Sequence, residues 1–159
     1  EFSLDRRNAA RGSRPLKQVI VDASVAAKWL LPRVHEPLAN EAAELLTQYT
    51  NGELELAVPD LFWAEMGNLL WKAVRLKRCG LSETKIALAL LKEYGFPTIS
   101  SKSLLDLAVS IATAFNRTVY DSLYVSLAVS SKSQLVTADE KLANALAAQM
   151  PVKWLGAYF

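Results

Sequence analysis

Apolar residues along this chain switch repeatedly between short continuous runs and a spacing of three to four, and few architectures accommodate that alternation. The run Val19-Ile20-Val21 closes on Asp22 and gives a strand over residues 18–22, followed by a short helix over 23–31 that Pro32 stops. Leu38, Ala42, Leu45, Leu46 and Tyr49 share one face of a helix over 36–50, which ends at Asn51-Gly52 ahead of a strand over 54–58. A third helix starts after Pro59-Asp60 and runs to about Lys77, a fourth capped at Ser82 reaches Tyr94, and residues 96–99 form a short third strand. Helices over 103–115 and 121–130, broken at Asn116-Arg117, precede a strand over 134–137, a helix over 139–149 and a last edge strand over 152–154. Strands separated by helices pair in parallel through right-handed crossovers. The expected fold is therefore a three-layer α/β/α domain around a central, mainly parallel sheet of four to five strands.

A chain of 159 residues with 52% hydrophobic and 21% charged residues can close one packed core, and residues 15–159 read as a single domain. No apolar run approaches the roughly 18 residues of a membrane span, and the first residues lack the apolar stretch of a signal peptide, so a cytoplasmic protein without membrane contact is expected. The formal charge of +2 arises in residues 1–14, where Arg6, Arg7, Arg11 and Arg14 oppose Glu1 and Asp5. The remaining chain is balanced, so the excess charge says nothing about partners if that leader is a cloning remnant; the alternative is a disordered basic arm. A lone Cys79 and a lone His35 exclude an internal disulfide, a cysteine cluster, a paired-histidine zinc site and most triad chemistries. Any metal here must bind to oxygen.

Four acids stand where strands or helix ends meet loops: Asp22, Glu65, Asp121 and Asp139. In alternating α/β folds the carboxyl ends of parallel strands open onto the ligand crevice, so such acids can converge although distant in sequence. Each has an ordinary alternative. Asp22 ends a buried strand, yet an acid at a strand-to-helix junction is also a common N-cap; Ser24, two residues on, either orients its carboxylate or is a solvated helix residue. Glu65 lies among Leu61, Phe62, Met66, Leu69 and Leu70, where a charge needs compensation, and Asn68 at i+3 could supply a hydrogen bond. A surface glutamate paired with Lys72 is the alternative. Asp121 and Asp139, 18 residues apart, are separated by one helix, a turn and a strand, which returns the chain to the same sheet edge; each also fits a helix cap. Clustered carboxylates repel unless a divalent cation neutralises them, so all four together make a candidate Mg²⁺ or Mn²⁺ site.

The segments VIVDASV, PDLFWAEMGNLLWK and TVYDSLYVSLAVSSKSQLVTADEKL, in that order and context, resemble the PIN-domain family, notably the bacterial toxin-type ribonucleases called VapC. The resemblance spans about residues 18–155 and implies a PIN-like fold in which Asp22, Glu65, Asp121 and Asp139 form the acidic metal site. Ser24, Asn68 and Thr137 match polar positions around it. Asp139 matches a position that varies in the family, as direct ligand or as holder of a water. The activity implied is that of a Mg²⁺- or Mn²⁺-dependent endoribonuclease, in which the ion activates water with help from a carboxylate and stabilises the charge on phosphodiester oxygens. Single-stranded or looped RNA as substrate, a 3′-hydroxyl product, a homodimer and a cognate antitoxin are implied in the same way.

Lys72, Arg75, Lys77 and Arg78 offer contacts for RNA phosphates, a solvated helix end being the alternative. Trp63, Leu70 and Trp71 offer a dimer face, aromatic core packing being the alternative. Two other functions fit less of the pattern. A Mg²⁺-dependent phosphatase wants a second Asp two residues after the first, where this chain has Ser24. A catalytically silent PIN-like RNA- or protein-binding module would use the acids only as caps.

Overall fold

Val19, Ile20 and Val21 have no exposed surface, as expected of a strand covered on both faces. They form the core of β1 (Lys17–Val21), the central strand of the sheet in a computed structural model that describes residues 14–31 and 35–159. The leader up to residue 13, and Pro32 as a helix stop, lie outside the described residues. The chain continues through α1 (Ala23–Leu30), α2 (Ala39–Thr50), β2 (Leu54–Pro59), α3 (Leu61–Arg75), α4 (Leu81–Glu93), β3 (Thr98–Ile99), α5 (Leu105–Phe115), α6 (Val119–Ser130), β4 (Gln134–Thr137), α7 (Glu140–Leu146) and β5 (Val152–Trp154). Single 3₁₀ turns occupy Ser101–Leu104 and Leu155–Ala157.

All five strands are parallel, in the order β3-β2-β1-β4-β5. From β1 the chain steps outward to β2 and β3, then crosses back over to β4 and β5. Right-handed crossovers therefore send α1 to α4 to one face and α5 to α7 to the other. The result is the three-layer α/β/α fold. The order reverses between β1 and β4, and at such a switch point the two flanking connections diverge and leave a crevice beyond the strand ends. Val21 pairs with Val136 there, so Asp22 and Thr137 emerge side by side. Behind them, α6 is buried almost all round, with Leu123, Tyr124, Val125, Leu127 and Ala128 in the core. No described helix is long and apolar enough to cross a membrane.

The order of elements follows the hydrophobic periods, and the boundaries shift where backbone geometry intervenes. Leu38 adopts a left-handed conformation (φ 61°), so α2 begins at Ala39 rather than at Glu36. Its far end is the predicted one: Gly52 (φ 73°) lets the Glu53 N–H reach the Gln48 carbonyl at 2.9 Å and the Gly52 N–H reach that of Tyr49 at 3.0 Å, a Schellman closure. The third helix stops at Arg75, short of Lys77, because Lys77 turns left-handed (φ 55°) and the Arg78 N–H closes on Ala73. Ser82 does not cap α4. Gly80 does, its N–H donating to the Glu83 carboxylate at 2.9 Å. Asp60 leaves α3 uncapped and instead accepts the Ser101 N–H and hydroxyl, fastening the start of α3 to the 3₁₀ turn after β3.

Candidate active site

Asp22 is presented by the end of β1. Its N–H donates to Val136 at 3.1 Å, extending the ladder by one rung, and its carbonyl accepts from Val25 and Ala26. The carboxylate makes no capping bond. Its Oδ2 instead accepts from Ser24 Oγ and from Thr137 Oγ1, both at 2.7 Å. Those hydroxyls are themselves oriented, because Ala138 N–H donates to Ser24 Oγ and Asp139 N–H to Thr137 Oγ1, each at 3.0 Å. Two chains run from backbone amide through hydroxyl to carboxylate, each link polarising the next.

The other acids arrive from helices. Glu65 is half-buried on α3 and, among the described residues, makes neither an ion pair nor a hydrogen bond; the pairing with Lys72 and the bond from Asn68 do not form. Asp121 is not a cap. Thr118 caps α6, accepting the Asp121 N–H at 3.1 Å, and the Asp121 carboxylate stays free of that duty. Asp139 is a cap, its Oδ1 accepting the Leu142 N–H at 3.1 Å.

All four acids nevertheless line one open pocket of about 500 Å³, together with Ser24 and Asn68, and no described basic side chain lines it. Thr137 is fully buried beneath it. Burial pushes the Asp22 carboxyl above its usual range, opposed by its hydroxyl donors and reinforced by the charge of Asp121. Glu65 is pushed up to about 7, first by burial and then by Asp22 and Asp121. Asp121 is raised by burial and by Asp139, against the bond at Thr118 and the charge of Arg117. Mutual repulsion among these carboxylates, opposed at Asp121 by Arg117, is the condition a hard divalent cation relieves. As the side chains stand, no three described Asp, Glu, His or Cys groups are arranged to hold one ion. The acids share a crevice without forming a ready cage.

Two tyrosines escaped the sequence reading. Tyr120 lines the pocket and is 64% exposed. Tyr124, one turn after Asp121 on α6, has its hydroxyl buried without a hydrogen-bond partner among the described residues. A spacing of three from Asp121 was the available signal, hidden in a helix that otherwise reads as core. Outside the pocket, Lys72 and Arg75 are exposed on α3, with the Arg75 guanidinium 5.5 Å from the Trp71 ring centre. The suggested dimer face divides: Leu70 is buried, Trp63 is half-buried with its indole N–H on Thr98 Oγ1 at 3.0 Å, and only Trp71 stands out, 52% exposed.

A doubly wound parallel sheet with acids gathered at its switch point defines an α/β protein with an anionic crevice. Residues 19–146 match the PIN domain, and the chain belongs to that family. Its fold is similar to that of PAE2754 from Pyrobaculum aerophilum, with a TM-score of 0.64 and 24% identity over 89% of this chain and 85% of that one. It is similar also to a toxin-antitoxin complex from Klebsiella pneumoniae (TM-score 0.57, 15% identity, 85% and 95% covered). A third similar structure is VapBC2 from Rickettsia felis bound to a DNA fragment from its promoter (TM-score 0.58, 13% identity, 86% and 98% covered). No curated protein matches the sequence significantly.

Proposed function

We propose that this protein is a Mg²⁺- or Mn²⁺-dependent endoribonuclease, the toxin of a toxin-antitoxin pair. The observation that carries the reading is the convergence of Asp22, Glu65, Asp121 and Asp139 on one pocket at the switch point of a PIN-domain sheet. The toxin-antitoxin assemblies among its structural neighbours support the biological half of the proposal. Homodimerisation, a cognate antitoxin, a cytoplasmic location and cleavage of RNA to a 3′-hydroxyl belong to the same reading.

Asp22, Glu65 and Asp121 would hold the ion, with Asp139 as a fourth ligand or the holder of a water. When bound, the cation supplies Lewis-acid stabilisation of charge on the phosphate and acidifies water. The chain's own groups do the rest. Ser24 and Thr137 fix Asp22 Oδ2, leaving Oδ1 without a protein donor among the described residues. Burial and the neighbouring acids push the metal-free Glu65 carboxyl up to about 7, a repulsion that a bound cation would relieve. Lys72 and Arg75 would neutralise phosphates further along a bound strand.

The deciding experiment is cleavage of a structured RNA with Mn²⁺ by the wild-type protein and by Asp22→Asn and Asp121→Asn. Cleavage that both substitutions abolish supports the proposal; activity surviving both rejects the acid site. A silent binding module is favoured by one observation, the engagement of Asp139 as a cap where no three acids enclose an ion. RNA binding without cleavage in any divalent cation would establish that reading instead.

A further inference from the structure

We infer that Tyr120 is the residue that makes the crevice selective for unpaired RNA: its open ring stacks on a base beside the phosphate held at the acids. The inference rests on the nuclease reading above. Tyr120 is the most exposed large hydrophobic side chain among the described residues, and it lines the acidic pocket. Leu81, Ile86 and Leu90 are nearly as exposed, but they stand on α4 and line no part of that pocket. An aromatic face left open to water carries a cost that a flat ligand laid against it removes.

The backbone that carries this ring is fixed on both sides, because Thr118 caps α6 by accepting the Asp121 N–H at 3.1 Å and Val119 packs against the core. A tyrosine so anchored has two side-chain torsions left to order on binding, a small entropic cost for a large flat contact. Leu61, Ala64 and Leu69 share the face of α3 that bears Glu65 and give the same pocket an apolar wall. The crevice is thus divided between carboxylates and apolar surface. A nucleotide is divided in the same way, its phosphate one sugar away from a flat base, as Tyr120 is one residue away from Asp121. With the phosphate held at the acids, the base meets the ring and the apolar wall. In a duplex both faces of each base are covered by its neighbours, whereas a looped or single-stranded base has a face to offer. Every base has such a face, so the stack selects for an unpaired strand and not for a sequence. A protein partner is the other candidate for the ring, and the kinetics on RNA separate the two.

Wild type, Tyr120→Ala and Tyr120→Phe are compared with Mn²⁺ on an RNA whose cut site has been mapped, and on the same RNA lacking the bases that flank the cut. Tyr120→Ala is expected to raise KM on the intact RNA about tenfold, with kcat and RNA-free Mn²⁺ affinity held, and Tyr120→Phe to recover most of that loss. On the abasic RNA all three proteins should share one raised KM. A wild-type KM in Tyr120→Ala overturns the stack, leaves the ring to a protein partner and leaves the nuclease reading standing. A loss that persists undiminished on the abasic RNA also overturns it, because the ring then meets sugar or phosphate instead of a base. Wild-type protein that cuts no RNA overturns the nuclease reading and the stack together.

Discussion

One helix, α3, serves two regions built on opposite principles. Phe62 and Trp63 near its start enter a cluster with Trp29, Tyr49 and Tyr94 around Phe96, with ring centres 5.1 to 6.5 Å apart. Every ring donor with a hydrogen bond there ends on a fixed acceptor: Trp29 on the Ala42 carbonyl at 2.7 Å, Tyr49 on that of Tyr94 at 2.8 Å, Trp63 on Thr98. Glu65, two residues later, shares a pocket with Asp22 and Asp121 that no described cationic side chain lines. The cluster holds the fold together; the crevice costs it stability. Polar satisfaction thus separates scaffold from site better than burial does, since both regions mix buried groups with exposed ones, Phe96 with Tyr94 in the one and Thr137 with Tyr120 in the other.

The sharpest test of that contrast is to neutralise the acids. Asp121→Asn should lower RNA cleavage by about a thousandfold or more, some 4 kcal/mol of barrier, while Tm stays level or rises as repulsion is relieved. Asp22→Asn should cost similar activity with less gain in Tm, because it also weakens the charge-assisted bonds from Ser24 and Thr137. Phe96→Ala should do the reverse, losing about 3–4 kcal/mol of stability by urea unfolding with kcat of the folded fraction intact. A stable but inactive Phe96→Ala protein would break the division.

The pH dependence is a smaller effect. Folding raises the Glu65 carboxyl from 4.5 to about 7, so the folded state takes up a proton between those values. Its contribution is complete below about pH 4.5 and is lost as pH rises through about 7. Metal-free protein should therefore weaken from pH 5 to 8, and Glu65→Gln should remove about 1–2 kcal/mol of that slope once partial exposure to solvent is discounted. An unaltered Tm-against-pH curve in the variant would show that Glu65 feels no such repulsion. Last, replacing Lys72 and Arg75 together with alanine should flatten the salt dependence of RNA binding by about 1.4 in log–log slope. An unchanged slope removes them from the footprint.

The sheet was legible because its message is local: β-branched runs ending in Asp22 and Thr137, with helical spacing between them. Helix starts were less so, since Leu38 and Gly80 act through backbone angles and partners that residue type does not announce. The acids could be listed from sequence, but which of them cap could not. Asp121 and Asp139 look alike on paper, and Thr118, three residues before Asp121, frees one while the other stays committed to Leu142.

One of the two hydroxyls that steady Asp22 comes from Thr137, 115 residues further along, and β1 and β4 must zip together before the two can meet. At ribosomal speeds of roughly 5–20 residues per second, the later group is synthesised about 6–23 s after the earlier one. Until then a growing chain holds its first acid with no pocket around it. The acidic crevice therefore cannot close on the growing chain until β4 has been made.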